Sequence, residues 1–335
     1  MNDDGEAERD DGEREDFELR EDKAAGVVAP QWLHDLRRSS HRQGFYRALG
    51  NHALVFADRG GDTLVVSFDN LSSARDDVVD RDPWGYGFVA KHGWSQLGVM
   101  AFTPDWFRDP TLFEAMQQLA QQGFFQRFRN VTLTGTSMGG YGACAFASLV
   151  PGCRVLALSP QSTLRKDLVP WEKRFSSGRK ADWSGPFADA AAEISGAAQV
   201  WLVHDPLVEN DHLHVRRFAG PNVHLLRMRH AGHKTALVLR RAGQLSQVSR
   251  DVIEGTMSEA RFYATYRENR RSRWFAGAVA ERAAWRGRLD LVGRTVRFLR
   301  DGGQGFAAHE IRKQYLGGSG HDPLRGADGP DNPAP

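Results

Sequence analysis

The chain has 335 residues, 41% of them hydrophobic, which is enough for one large or two smaller domains with a buried core. A formal net charge of +2 gives no reason to expect a nucleic-acid or anionic-membrane partner. No apolar run approaches the roughly 18 residues a membrane span needs, and no basic start leads into an apolar core, so the expectation is a cytoplasmic protein without a membrane span.

In chain order, residues 1–25 are crowded with Asp and Glu and almost empty of large apolar side chains. Such a composition cannot offset ordering entropy by burial, and it predicts a disordered acidic tail. Residues 26–245 alternate short β-branched runs with longer helical stretches, the pattern of a mostly parallel sheet flanked by helices. The strands expected are ALVFA (53–57), TLVVSF (63–68), LGVMAF (97–102), VTLT (131–134), VLAL (155–158), VWLV (200–203) and VHLLRM (223–228). Several are continuously apolar, as strands buried on both faces should be.

A crossover helix is expected over 111–128, and another begins at Met138, directly after the strand VTLT. Residues 161–198 carry Pro170, Trp171, Trp183 and Pro186 without a strand signal and read as a small lid insertion. Residues 246–316 read as a C-terminal α-helical appendix, rich in arginine and without a convincing repeat. Its charge is that of a solvated helical face, an anionic partner or a partner for the acidic tail. The Gly, Pro and Asp of 317–335 predict a second disordered tail. Cys144 and Cys153 fit no metal spacing and are expected to be buried thiols.

The chemistry concentrates at Gly135-Thr136-Ser137-Met138-Gly139, a G-x-S-x-G pattern between an expected strand and an expected helix. The turn there must be so tight that only very small side chains fit two residues before and after the serine. It exposes the hydroxyl and sets it at the positive end of the following helix.

The strand order, this elbow and the segments after it resemble the α/β-hydrolase superfamily of the serine esterase or acyl hydrolase type, over about residues 27–237. The resemblance implies Ser137 as nucleophile, an acid after a later strand and a histidine after the last one. Asp205, in His204-Asp205-Pro206-Leu207-Val208, stands at the place of the acid, 68 residues after Ser137. His233, in His230-Ala231-Gly232-His233, stands at the place of the histidine 28 residues further on. His233 is preferred to His230 because Gly232 lets the chain turn there, and Asp205 to Asp211 because Asp211 suits the cap of a helix over 212–218. An unactivated serine is a poor nucleophile, so the imidazole must take its proton while the carboxylate fixes the tautomer.

The oxyanion donors implied are the N–H of Met138 and an amide from Phe68 or Asp69. The loop Phe68-Asp69-Asn70-Leu71-Ser72 departs from the His-Gly loops of many lipases, and Asn70 is expected either to shape the turn or to offer its side-chain amide. No cofactor is expected. A metal reading of His204, Asp205, Asp211, His212 and His214 matches no zinc spacing. Gly93-Trp94-Ser95 and the Ser-Met-Gly-Gly-Tyr elbow are similar to bacterial hydrolases of surface-polysaccharide acyl groups, which implies a small-molecule or glycan acyl ester as substrate. The function expected is a serine hydrolase working through a Ser137 acyl-enzyme. An acyltransferase using the same intermediate, or a non-catalytic scaffold on this fold, are the alternatives.

Overall fold

A computed structural model of the chain describes residues 43–317 except 77, 79, 270 and 271. The expected acidic tail, and all but the first residue of the expected C-terminal tail, lie outside the described residues. The strands are β1 (Gln43–Leu49), β2 (His52–Asp58), β3 (Thr63–Phe68), β4 (Ser95–Ala101), β5 (Asn130–Thr136), β6 (Arg154–Leu158), β7 (Gln199–His204) and β8 (Val223–Arg227). They form one eight-stranded sheet in the order β1-β2-β4-β3-β5-β6-β7-β8. β2 runs antiparallel to both β1 and β4, and every other pairing is parallel.

The parallel strands are apolar on both faces because both are covered: β4 is buried throughout, as are all but the first residues of β3, β6 and β7. β1 is not among the expected strands. Its sequence QGFYRAL mixes polar and apolar residues because it is an edge strand, joined to β2 across Gly50-Asn51, with the Leu49↔His52 pair closing the hairpin. Phe45 anchors it against Phe56, ring centroids 5.4 Å apart.

Helices α1 (Leu71–Arg75), α2 (Tyr86–Lys91), α3 (Pro110–Gln121) and α4 (Met138–Ala145) precede the insertion. α3 starts where an N-cap demands: Asp109 accepts from the Thr111 N–H at 2.8 Å, and Pro110 fills the first position. It stops short of the expected 128, since Gly123 turns at φ +74° and only a 3₁₀ turn follows at Phe125–Arg127. The expected insertion has no strand in it.

α5 (Glu209–Val215) connects β7 to β8, and beyond the sheet lie α6 (Thr235–Arg241), α7 (Leu245–Ile253), α8 (Glu259–Glu268), α9 (Arg273–Trp285), α10 (Leu289–Asp301) and α11 (Gly305–Leu316). The C-terminal helices divide by their cores. Val248, Val252 and Phe262 of α7 and α8 bury against Leu156, Trp201 and Leu226 of the sheet. α9 to α11 bury Ala280, Val292, Leu299 and Ile311 among themselves. Among the described residues no helix is long and apolar enough to cross a membrane.

Candidate active site

The elbow between β5 and α4 is strained. Ser137 has φ +52° and ψ −116°, a region that side chains other than glycine rarely occupy. Two contacts make its glycines obligatory. A Cβ on Gly135 would collide with the Gly139 backbone, and one on Gly139 would collide with the carbonyls of Phe68 and Asp69. The turn is held by β6 and by α4: the Ser137 N–H donates to Leu158 O at 2.8 Å, and Ser137 O accepts from the Tyr141 N–H at 3.0 Å.

His233 Nε2 lies 2.9 Å from Ser137 Oγ, across 96 residues of sequence. His233 Nδ1 lies 2.7 Å from Asp211 Oδ2. Burial alone would raise the Asp211 carboxyl, but the hydrogen bond from His233 and the charge of Arg174 outweigh it and hold it below the ordinary carboxylate value. An ionised carboxylate only accepts, so the proton sits on Nδ1 and the lone pair of Nε2 faces the serine hydroxyl. This arrangement can draw a proton from Ser137 and stabilise the imidazolium that results.

The acid beside His233 is therefore Asp211 and not the expected Asp205. Asp205 Oδ1 accepts from the Leu207 N–H and Oδ2 from the Gly232 N–H, each at 2.9 Å. It ties the β7 turn to the loop that carries His233. Asp211 is not a cap: α5 begins at Glu209, three residues before the expected start, which places Asp211 in the first turn with its side chain fully buried.

A strand order of 1-2-4-3-5-6-7-8 with only the second strand reversed, a serine elbow after β5 and a histidine after β8 occur together here. The fold is that of an α/β-hydrolase. Similar solved structures include the Pyrococcus furiosus esterase Pf2001, 19% identical over 67% of this chain and 95% of that one, with a TM-score of 0.42. The capsule O-acetyltransferase of Neisseria meningitidis serogroup A is 12% identical over 59% of this chain and 91% of that one, at 0.39. Mycobacterium tuberculosis MPT51 is 14% identical over 65% of this chain and all of that one, at 0.43. No protein-family model matches the chain, and no curated protein matches it.

Of the expected oxyanion residues, Met138 opens α4 immediately after Ser137, and no earlier helical turn exists to take its N–H. Phe68 is the last residue of β3, in the ladder between Val99 and Gly135. The Asp69 N–H is taken by Val99 O at 3.2 Å, so Asp69 does not present a donor as expected. Its buried carboxylate accepts from Arg81 at 2.6 Å and from the Ala101 N–H at 3.0 Å, an anchor for the strand end. The residues that border the site on this side are Asn70 to Ser73. Asn70 shapes that turn, its Oδ1 accepting from the Ser73 N–H at 2.9 Å as the N-cap of α1.

A cavity of about 450 Å³ opens over Ser137 and His233. Its apolar walls are Leu71, Trp84, Phe175, Ala236, Leu237 and Leu245. Trp106 is buried beneath the insertion, its Nε1 donating to Gln161 Oε1 at 3.0 Å. That bond fixes the orientation of the buried Gln161 amide, whose Nε2 lies 3.4 Å from Ser137 Oγ.

Behind Asp211 lies a charged network that sequence reasoning did not find. Arg174 donates to Asp211 Oδ1 at 2.9 Å and to Glu172 at 2.6 Å. The Ser162 N–H donates to His214 Nδ1 at 3.1 Å, so the Nε2–H of a neutral His214 donates to Glu172, also at 3.1 Å. Burial opposes ionisation of Glu172, yet these donors bring its carboxyl down to about 2. Arg174 and Glu172 sit in an insertion without apolar periodicity, and only the folded chain brings them to residue 211. His230 lies apart from Ser137, at φ +69° with its ring 5.6 Å from Phe275 of α9. Among the described residues no group of His, Cys, Asp and Glu could hold a metal ion.

Proposed function

We propose that this chain is a serine hydrolase that cleaves a carboxylic ester or thioester. Ser137 Oγ attacks the carbonyl carbon while His233 Nε2 takes its proton. The tetrahedral oxyanion is received by the Met138 N–H and by the backbone at Asn70-Leu71. As the carbonyl re-forms, the bond to the leaving oxygen or sulfur breaks and His233 returns the proton to it. Water, deprotonated by the same imidazole, then attacks the acyl-serine and releases the acid and Ser137. Asp211 keeps the proton of the resting imidazole on Nδ1 and offsets the positive charge formed at each attack.

The observation that carries this reading is the continuous pair of hydrogen bonds Ser137 Oγ to His233 Nε2 and His233 Nδ1 to Asp211. A strained serine without a base would be an inert hydroxyl. The test is labelling with a fluorophosphonate probe. The wild type is expected to be labelled at one site, and Ser137→Ala and His233→Ala to lose the label while melting as the wild type does. Equal labelling of Ser137→Ala would overturn the proposal.

A further inference from the structure

The cavity wall changes character along α6. Ala236 and Leu237 face the cavity near His233, and Arg240, one turn further along the helix, lines the same cavity with an exposed side chain. Positions i and i+4 stack on one helical face, so Ala236 and Arg240 lie about 6 Å apart along the axis. Lys234, also exposed, lines the cavity beside His233. No Asp or Glu is among the lining residues, which also include Asn70, Ser72, Ser73 and Trp84. The next residue, Arg241, points elsewhere, with its guanidinium 4.5 Å over the Trp274 ring.

We infer that the substrate is an anionic ester or thioester, carrying a carboxylate, sulfate or phosphate that Arg240 receives at the mouth of the cavity. This rests on the hydrolase reading above. An apolar wall next to the reacting serine admits an uncharged acyl or alcohol portion. Arg240 then holds a negative group about one helical turn further out, where its guanidinium can make paired charge-assisted hydrogen bonds with a carboxylate or another oxyanion. A neutral substrate of the same length would gain nothing from the Arg240 guanidinium.

The experiment compares matched esters. Mono-4-nitrophenyl glutarate against 4-nitrophenyl valerate places the anion on the acyl side, and 4-acetoxybenzoate against phenyl acetate places it on the leaving side. For wild-type protein, at least one anionic ester is expected to exceed its neutral partner by about tenfold or more in kcat/KM, chiefly through KM, as one charged hydrogen bond allows. The ratio should fall as salt is added. Arg240→Gln is expected to bring it close to one, and Arg240→Glu to invert it. Arg241→Gln, which removes the same charge from the same helix, should leave the ratio at its wild-type value.

Ratios of one or below for both pairs in the wild type would overturn the inference. So would an Arg240→Gln ratio equal to the wild-type one. Failure of the hydrolase reading looks different, since it abolishes turnover of neutral and anionic esters together. Binding then decides the charge question: benzoate is expected to raise the Tm of the wild type more than benzyl alcohol does and to lose that advantage in Arg240→Gln, and equal shifts in the wild type count against the anionic substrate.

Discussion

Two aspartates six residues apart carry different tasks in this site, and the difference lies in the partners of each carboxylate. Asp211 faces an imidazole nitrogen and a guanidinium, so an amide in its place would donate where an acceptor is required and turn the tautomer of His233 over. Asp211→Asn is expected to lower kcat by about 10²- to 10⁴-fold with a far smaller change in KM. The Asp205 carboxylate instead accepts from the Leu207 and Gly232 amides. Asp205→Asn keeps one acceptor oxygen and should cost about 1–2 kcal/mol of stability, seen as a lower Tm, with kcat within about tenfold of wild type. Ester hydrolysis and thermal melts of the two variants check this, and the opposite ordering of kcat would return the acid to residue 205. Ser137 and His233 were legible because strand-turn-helix chemistry and a Gly-His turn are local. The carboxylate beside His233 was not, since both aspartates come after β7 and Asp211 is held by Arg174, 37 residues upstream of it.

Among the elements, the sheet was readable because strands buried on both faces are runs of apolar residues, whereas β1 at the edge carried no such run. The insertion over 161–198 was legible only as a segment without strands, and the sequence did not show that it is pinned down. Arg108 donates to Ser184 O and Pro186 O, each at 2.7 Å, and to Asp182 O at 3.1 Å, while stacked on Phe113 and Trp183. The Tyr141 hydroxyl, whose ionisation burial pushes upward, donates to Phe187 O. These bonds fasten the segment that supplies Phe175 to the cavity and Arg174 to Asp211. Arg108→Leu leaves three carbonyls without their charged donor and is expected to destabilise the protein by about 3 kcal/mol or more. It should also lower kcat, because Arg174 and Phe175 lose their support. Tm and proteolytic nicking within 161–198 report the first effect, and steady-state ester hydrolysis reports the second. A variant that melts and resists protease as the wild type does would show that the clamp is dispensable.

For the whole molecule, buried ionisable groups set how stability responds to pH. His204 is a histidine whose burial drops it to about 4, so the unfolded chain binds a proton the fold does not, and stability falls as pH drops from 6.5 toward 4. Glu172, brought down to about 2, loses its contribution as pH falls from about 4.5 toward 2. On the alkaline side the controlling group is His52, fully buried where β2 leaves the first hairpin. Its Nε2 is 3.2 Å from Asp105 and its Nδ1 is 3.5 Å from Asp109, the N-cap of α3. Burial would lower its affinity for a proton, but the two carboxylates outweigh burial and raise it to about 9. The folded value lies above the unfolded one, so this stabilisation is complete below pH 6.5 and disappears as pH rises through 9. Its size is of the order of 3 kcal/mol, from about 1.4 kcal/mol for each pH unit by which the two states differ. The His52 pairs join the hairpin at one edge of the sheet to the start of α3. His52 also packs on Phe107, ring centroids 5.8 Å apart, and Phe107 on Phe68 at 5.4 Å, so the loss of these pairs reaches the end of β3 as well as the hairpin. Denaturant titrations between about pH 6 and 9.5 should show stability falling through this window in the wild type. His52→Gln should be less stable at about pH 6 by that amount and nearly level with the wild type at about pH 9.5. A parallel decline in both proteins would assign the alkaline loss to another group.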